Sequence, residues 1–314
     1  MIKRRVTWLA LAMLALSAGF LLWQLKEPTG FILTLRGTKL ATLIMVGAAT
    51  GAATILFQTV AANQLLTPGL VGFDALYVFL QTLLVFLLGG VGYAAIPAAA
   101  GFLAEAGLMM LVAVIVFRLL FRNGGDDVIR ILLTGVILGI MLRGLAELLQ
   151  RLLDPAEFSV VQQASFASFS AVSPTQLAIT GTTLAIALFL CARMAPRLDV
   201  AALGRPVARG LGLDYDRLIM QALALVAALV AISTALVGPL TFLGLLAASL
   251  ARELVPTHRH AWLIPAAALT GALILVAGQF VFERLLGQQS TLSVIVEFFG
   301  GLLFIALILR RRTL

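Results

Sequence analysis

The side chains that could do chemistry in this sequence are few, and most gather in one place. Residues 198–217, LDVAALGRPVARGLGLDYDR, bring Asp199, Arg205, Arg209, Asp214, Asp216 and Arg217 into a polar island within an otherwise apolar chain. A charge at the bilayer centre costs roughly 2.5–3.5 kcal/mol on insertion scales, so this stretch belongs in water. Val200, Leu203, Val207 and Leu211 recur at spacings of three and four, which predicts one face of a short helix. Gly204, Gly210 and Gly212 punctuate it, so one or two short helices should lie across the ends of the membrane spans. Arg205 and Arg209 stand four apart, placed either to meet acidic groups of a soluble partner or to fix topology.

Ionisable residues inside the apolar runs are functional candidates by default, and here they are Asp74, Glu105, Arg143, Glu147 and Glu297. A proton relay in a gradient-driven transporter would draw on Asp74, Glu105 and Glu147. Arg143 and Glu147, four apart, are expected to pair with each other. Asp74 and Glu297 fall near predicted helix ends, where hydration or capping is expected. His258 and His260 share a PTHRH turn without a supporting carboxylate or cysteine cluster, which predicts a solvated turn and no metal site. Cys191 is the only cysteine and sits in an apolar run as a small buried residue. Met45, Met109, Met110, Met141 and Phe57 read as packing. No G-x-x-x-x-G-K-[ST], His-Glu-x-x-His or Gly-x-Ser-x-Gly stretch is present, so no catalytic residue and no cofactor are assigned. Any ATP hydrolysis must come from another polypeptide.

The elements that position these residues are membrane spans. Hydrophobic residues make up 61% of the 314, charged residues only 11%, and mean hydropathy is +1.09. Those values exclude a soluble globular protein. At about 20 residues per span, the length holds nine to eleven helices in a single integral domain, residues 1–314. Apolar runs fall at about 6–23, 40–62, 73–88, 93–121, 128–150, 174–193, 218–237, 240–254, 261–282 and 294–309, giving ten. Turns are expected at 63–72, at Gly89, Gly90 and Gly92, at RNGGDD, at PTHRH and at LLGQQS. Gly47 and Gly51 are spaced for close helix packing. The stretch 151–172 is too polar to span and too apolar for an open loop, and is expected as a partly re-entrant element on the outer side. Net charge is +8, but the basic residues flank apolar runs and read as topology signals, not as a nucleic-acid surface. With both termini cytoplasmic, 16 of the 22 lysines and arginines lie on the cytoplasmic side, Arg118, Arg122, Arg130 and the terminal Arg310 to Arg312 among them. Lys26, Arg36, Lys39, Arg143, Arg151 and Arg284 defy that trend.

Three ordered stretches carry a resemblance. ALGRPVARGLGLDYDR, VGPLTFLGLLAASLAREL, and LRGTKLATLIMVGAATGAATILFQTVAANQLLTPGLVG together resemble the ten-span permease subunits of ABC importers for iron-siderophores, haem and cobalamin. GFDALYVFLQTLLVF is similar to the ferric catecholate-type members. Departures are Thr38 for the usual proline, Lys39 for a second arginine, and Ala248-Ser249 for Pro-His. The resemblance implies an all-α polytopic type II importer fold in a bacterial inner membrane. It implies that two permeases pair, as a heterodimer for this subgroup, and that two cytoplasmic ATP-binding subunits grip the island. The coupling positions carried over are Ala201, Leu203, Gly204, Arg205, Val207, Ala208, Arg209, Leu211, Gly212 and Leu213. It also implies that a soluble or lipid-anchored binding protein delivers a ferric siderophore to Arg36, Lys39 and Arg284 on the outer face.

Overall fold

The computed structural model describes residues 2–24, 27–121, 128–170, 172–285, 287 and 292–311. Lys26, Arg122, Arg312, the RNGGDD turn and most of LLGQQS lie outside the described residues. Among the described residues all regular structure is helical: α1 (Ile2–Leu22), α2 (Thr29–Val60), α3 (Phe73–Ala94), α4 (Ala98–Phe121), α5 (Val128–Gln150), α6 (Pro155–Ala164), α7 (Pro174–Ala201), α8 (Arg205–Gly210), α9 (Tyr215–Val237), α10 (Leu243–Leu254), α11 (His260–Phe280, continued by a π-helical turn over Val281–Leu285) and α12 (Leu292–Arg311). Eight helices, α1 to α5, α7, α9 and α11, are long and apolar enough to cross a membrane. With the apolar helices α10 and α12 they account for all ten apolar runs.

The bundle is built around α2, which packs against α11, α9, α10 and α7. Its small residues set that position. Gly47 and Gly51 meet the backbone of α11 at Gly271 and Ala267, and Gly244 of α10 lies against Thr50 and Thr54. Lipid tails are as apolar as leucine, so helices in a bilayer associate through such close van der Waals packing. The packing expected of Gly47 and Gly51 is therefore present, and its partner is α11. α2 begins earlier than the sequence pattern suggested, so Arg36 and Lys39 lie within the helix.

Two segments depart from simple spans. α10 has 12 residues, about 18 Å of helix, against a hydrocarbon core of about 30 Å. Residues 238–242, irregular over 238–240 and turning at Thr241 and Phe242, lead into α10. Gly238 takes φ 100° and ψ 176°, a conformation open essentially to glycine alone. The 63–72 segment, expected as a turn, climbs into the bundle. Gly72, at φ 108°, abuts Gly135 and Gly139 of α5, and Gly139 lies about 17 Å along that helix from its start. The Thr67 hydroxyl donates to the Thr241 carbonyl (3.2 Å), so the two non-helical segments meet at mid-depth. Backbone of this kind persists inside a bilayer only where protein satisfies its polar groups. Here Val71 and Gly72 donate to the Pro68 and Gly69 carbonyls.

α3 therefore starts in mid-membrane. Gly89, at φ 70° and ψ 164°, breaks the helix where a turn was expected; a short helical stretch continues to Ala94, and the chain turns again at 95–97. The 151–172 stretch holds α6, opened by Pro155, with the Glu157 side chain reaching back to the Asp154 amide (3.4 Å). After α6 the chain tucks against the α9 end, where the Ser168 N–H donates to the Val237 carbonyl (2.7 Å) and Phe169 is buried.

Candidate functional site

The candidate functional residues sit at opposite ends of the bundle. At the polar-island end, α7 runs to Ala201, Gly204 turns the chain at φ 94°, α8 forms over Arg205–Gly210, and Gly212 turns it again at φ 81°. Asp214 caps α9 by accepting from the Arg217 N–H (3.3 Å). The expected one or two helices are one, of six residues. Ala201 and Ala208 are buried beneath it, and Leu213 is half-buried. Leu203, Val207 and Leu211 face outward, each at least half exposed, as an apolar face with no cover from this chain. Arg205 (3.1 Å) and Arg209 (2.5 Å) both bond Asp216 in the first turn of α9, Arg205 largely covered and Arg209 half exposed. That carboxylate ties α8 to α9, so the island presents an apolar face beside charges already paired within this chain.

At the opposite end, α2, the α11 extension and Phe169, Ser170, Val172 and Pro174 enclose a recess of about 620 Å³ lined by Arg36, Lys39, Glu283 and Arg284 with Phe31. The structure thus brings together the three basic residues expected at the docking face, Arg36, Lys39 and Arg284, and gives them different partners. Arg36 is buried and donates to the carbonyls of Leu21 (2.8 Å), Trp23 (2.8 Å) and Gln24 (3.4 Å), satisfying the end of α1. Lys39 pairs with Glu283 (2.9 Å), which also accepts from Gln279 (3.1 Å) and lies 3.5 Å from Arg284. The Arg284 guanidinium covers the Phe20 ring at 5.9 Å. Three cations against one carboxylate leave this recess net positive.

With both ends described, the relatives can be set beside them. Residues 7–310 match the FecCD transport family. The chain belongs to that family. It is 38% identical over 285 residues to the petrobactin import system permease protein YclO of Bacillus subtilis, covering 89% of each chain. It is 32% identical over 314 residues to the petrobactin import system permease protein FatC of Bacillus anthracis, covering 98% of this chain and 88% of the relative. Its fold matches a metal-chelate type ABC transporter solved in an inward-facing conformation, with a TM-score of 0.86, 22% identity, and coverage of 98% of this chain and 99% of the other.

In this FecCD-family chain the intramembrane carboxylates stand in different settings. Asp74 is buried in the first turn of α3, near a helix end as expected, and accepts from the Thr241 hydroxyl (2.6 Å), joining the 63–72 re-entry to the break before α10. Glu105 is buried on α4 beside Gln81, whose carbonyl oxygen accepts from Tyr93 (2.6 Å). Arg143 and Glu147 form no ion pair with each other; both are exposed on α5. Glu297 is half-buried on α12. Met109, Phe57 and Cys191 are core residues.

The residue that sequence reasoning missed is His260. It is 4% exposed, not solvated as the PTHRH turn suggested, while His258 is exposed. Its backbone N–H (2.7 Å) and Nδ1 (2.6 Å) both meet Asp199 Oδ1, and its Nε2 lies 2.8 Å from the Thr59 hydroxyl. Asp199 thus serves the amino terminus of α11 as an anion in trans, where the helix dipole favours negative charge. The one available signal was an aspartate in the island with no partner of its own in sequence.

Proposed function

We propose that this chain is the membrane-spanning permease subunit of an ATP-driven importer that carries a ferric siderophore into the cytoplasm of a bacterium. The observation that carries the reading is the exposed apolar face that Val207 of α8 forms with Leu203 and Leu211, the residues that flank this six-residue helix. A short amphipathic helix presented this way suits the groove of a soluble partner. In this reading the partners are two cytoplasmic ATP-binding subunits, which hydrolyse the ATP and grip Ala201 to Leu213. Both termini lie on the cytoplasmic side of the inner membrane, and the translocation path forms against a second, different permease. The likeness of GFDALYVFLQ to heterodimeric catecholate-type permeases supports that last point. The recess at the opposite end receives acidic side chains of a soluble or lipid-anchored binding protein. Lys39 and Arg284 face the partner there, and Arg36 fixes the wall behind them. Electrostatic complementarity of this kind sets register and on-rate more than affinity. The names of the two relatives make ferric petrobactin the first probe.

The test is uptake of radiolabelled ferric petrobactin into proteoliposomes holding this chain with the second permease and ATPase of its operon. Uptake is expected only with ATP inside and binding protein outside. Uptake by this chain alone, driven by a proton gradient, would replace the importer reading with a gradient-driven transporter.

A further inference from the structure

The two candidate sites lie at opposite ends of the same two helices. Lys39 of α2 and Glu283 of the α11 extension form an ion pair in the recess. Twenty residues along, Thr59 of α2 and His260 of α11 meet beside the island. That interval is about 30 Å of helix, the thickness of the hydrocarbon core. Between these points the helices touch backbone to backbone. A Cβ at Gly47 would lie 2.5 Å from the Gly271 carbonyl oxygen, and one at Gly51 would lie 2.2 Å from that of Ala267. No side chain stands between the helices there to absorb a displacement, so the pair moves as one body. At the island end the contact does not stop at the pair. His260 hands it to Asp199, which lies two residues before the end of α7 and so next to the turn at Gly204 that launches α8.

We propose that α2 and α11 form a rigid rod linking the recess to the island, and that Thr59, His260 and Asp199 are the positioning residues that connect this rod to α8. The inference rests on the reading of the recess as the binding-protein site and of α8 as the ATPase contact. Coupling between distant sites is carried by such rigid elements and hydrogen-bonded networks when both sites bias a common arrangement. Docking that shifts the Lys39–Glu283 end of the rod shifts the His260 end, and the Asp199 contact moves the root of α8 with it. Breaking the Thr59–His260–Asp199 contacts leaves both sites built and disconnects them.

The experiment uses the assembled complex in lipid nanodiscs and measures ATP hydrolysis with and without binding protein loaded with ferric petrobactin. Affinity for the loaded binding protein is measured separately on the same complexes. In Thr59→Val and Asp199→Ala the ratio of stimulated to unstimulated hydrolysis should fall roughly fivefold or more, the lower end of ordinary coupling factors. Affinity should hold. Thr59→Ser and Asp199→Asn, which keep the hydroxyl and an acceptor oxygen, should restore most of the ratio. The double variant should lose no more than either single one, because both cut the same link. As a second measurement, hydrogen exchange in residues 205–213 should change on docking in the unmodified complex and not in Thr59→Val. An unchanged ratio, a proportional fall in both rates that serine does not rescue, or no stimulation in the unmodified complex would each overturn the proposal. Failure of the underlying docking reading shows separately, as unchanged affinity in Arg284→Gln.

Discussion

Gly47 on α2 and Gly271 on α11 bring their two backbones into direct contact: a Cβ on Gly271 would lie 2.2 Å from the Gly47 carbonyl oxygen, and the reverse approach is 2.5 Å. Neither position can take a side chain unless the helices separate. Gly47→Val or Gly271→Val should therefore cost the fold more than the 1–3 kcal/mol usual for overpacking, because backbone cannot swing aside as a side chain does. The measurement is the thermal unfolding midpoint of the purified chain in detergent. Gly107→Ala, in open space on α4, is the control and should shift it little.

Small-residue spacing announced this contact in the sequence, although not which helix would answer it. The same holds more widely. Long apolar runs, Gly-Pro breaks and the bias of basic residues were enough to give ten apolar segments and the short helix of the island. What periodicity could not reveal was depth. NQLLTPGLVG carries turn residues wherever it lies, and only the hydroxyl of Thr67 on the Thr241 carbonyl places it inside the bundle. His260 was invisible for a related reason: its partners Asp199 and Thr59 are 61 and 201 residues away in the chain.

The mid-depth junction of Asp74 with Thr241 gives a second prediction. A buried acceptor that loses its donor bears the desolvation penalty, about 1–3 kcal/mol. Thr241→Val should destabilise the purified chain by that order and Asp74→Asn by less, since an amide oxygen still accepts from the threonine. Thermal unfolding of the two variants in parallel checks the order; equal losses would mean that the carboxylate itself, not the hydrogen bond, holds the junction.

On α8 the apolar and charged residues should separate cleanly. Leu203→Asp combined with Val207→Asp should abolish co-purification of the ATPase with the permease, because both side chains lie on the uncovered face. Arg209→Ala should leave co-purification nearly unchanged, since Arg209 is half exposed and its partner Asp216 is on its own chain. Exposed pairs of this kind contribute about 0–1 kcal/mol. Pull-down of the ATPase on the tagged permease distinguishes these outcomes. Loss with Arg209→Ala alone would make the arginine a direct contact after all.

The last prediction concerns the recess, where three basic residues that look alike in sequence hold different partners. Arg36 donates to three carbonyls at the end of α1, so Arg36→Met strands buried acceptors and should lower the stability of the chain while leaving the rim of the recess charged. Arg284 stands beside Glu283 at 3.5 Å and over Phe20, with no carbonyl to cap among its contacts, so Arg284→Gln, which removes the charge without setting a second carboxylate against Glu283, should largely spare stability and lower affinity for the binding protein. Truncating one partner of a desolvated interfacial charge pair costs about 2–5 kcal/mol, which sets the expectation at a tenfold loss or more. Lys39→Glu should lose affinity and stability together because it places a second carboxylate against Glu283, and adding Glu283→Lys should recover the stability by reversing the pair. Binding measured across a salt series completes the assignment: solvent-accessible contacts weaken as ionic strength rises, whereas the buried Arg36 contacts do not. An Arg36→Met chain of normal stability that binds its partner poorly would move Arg36 from the wall of the recess to its docking face.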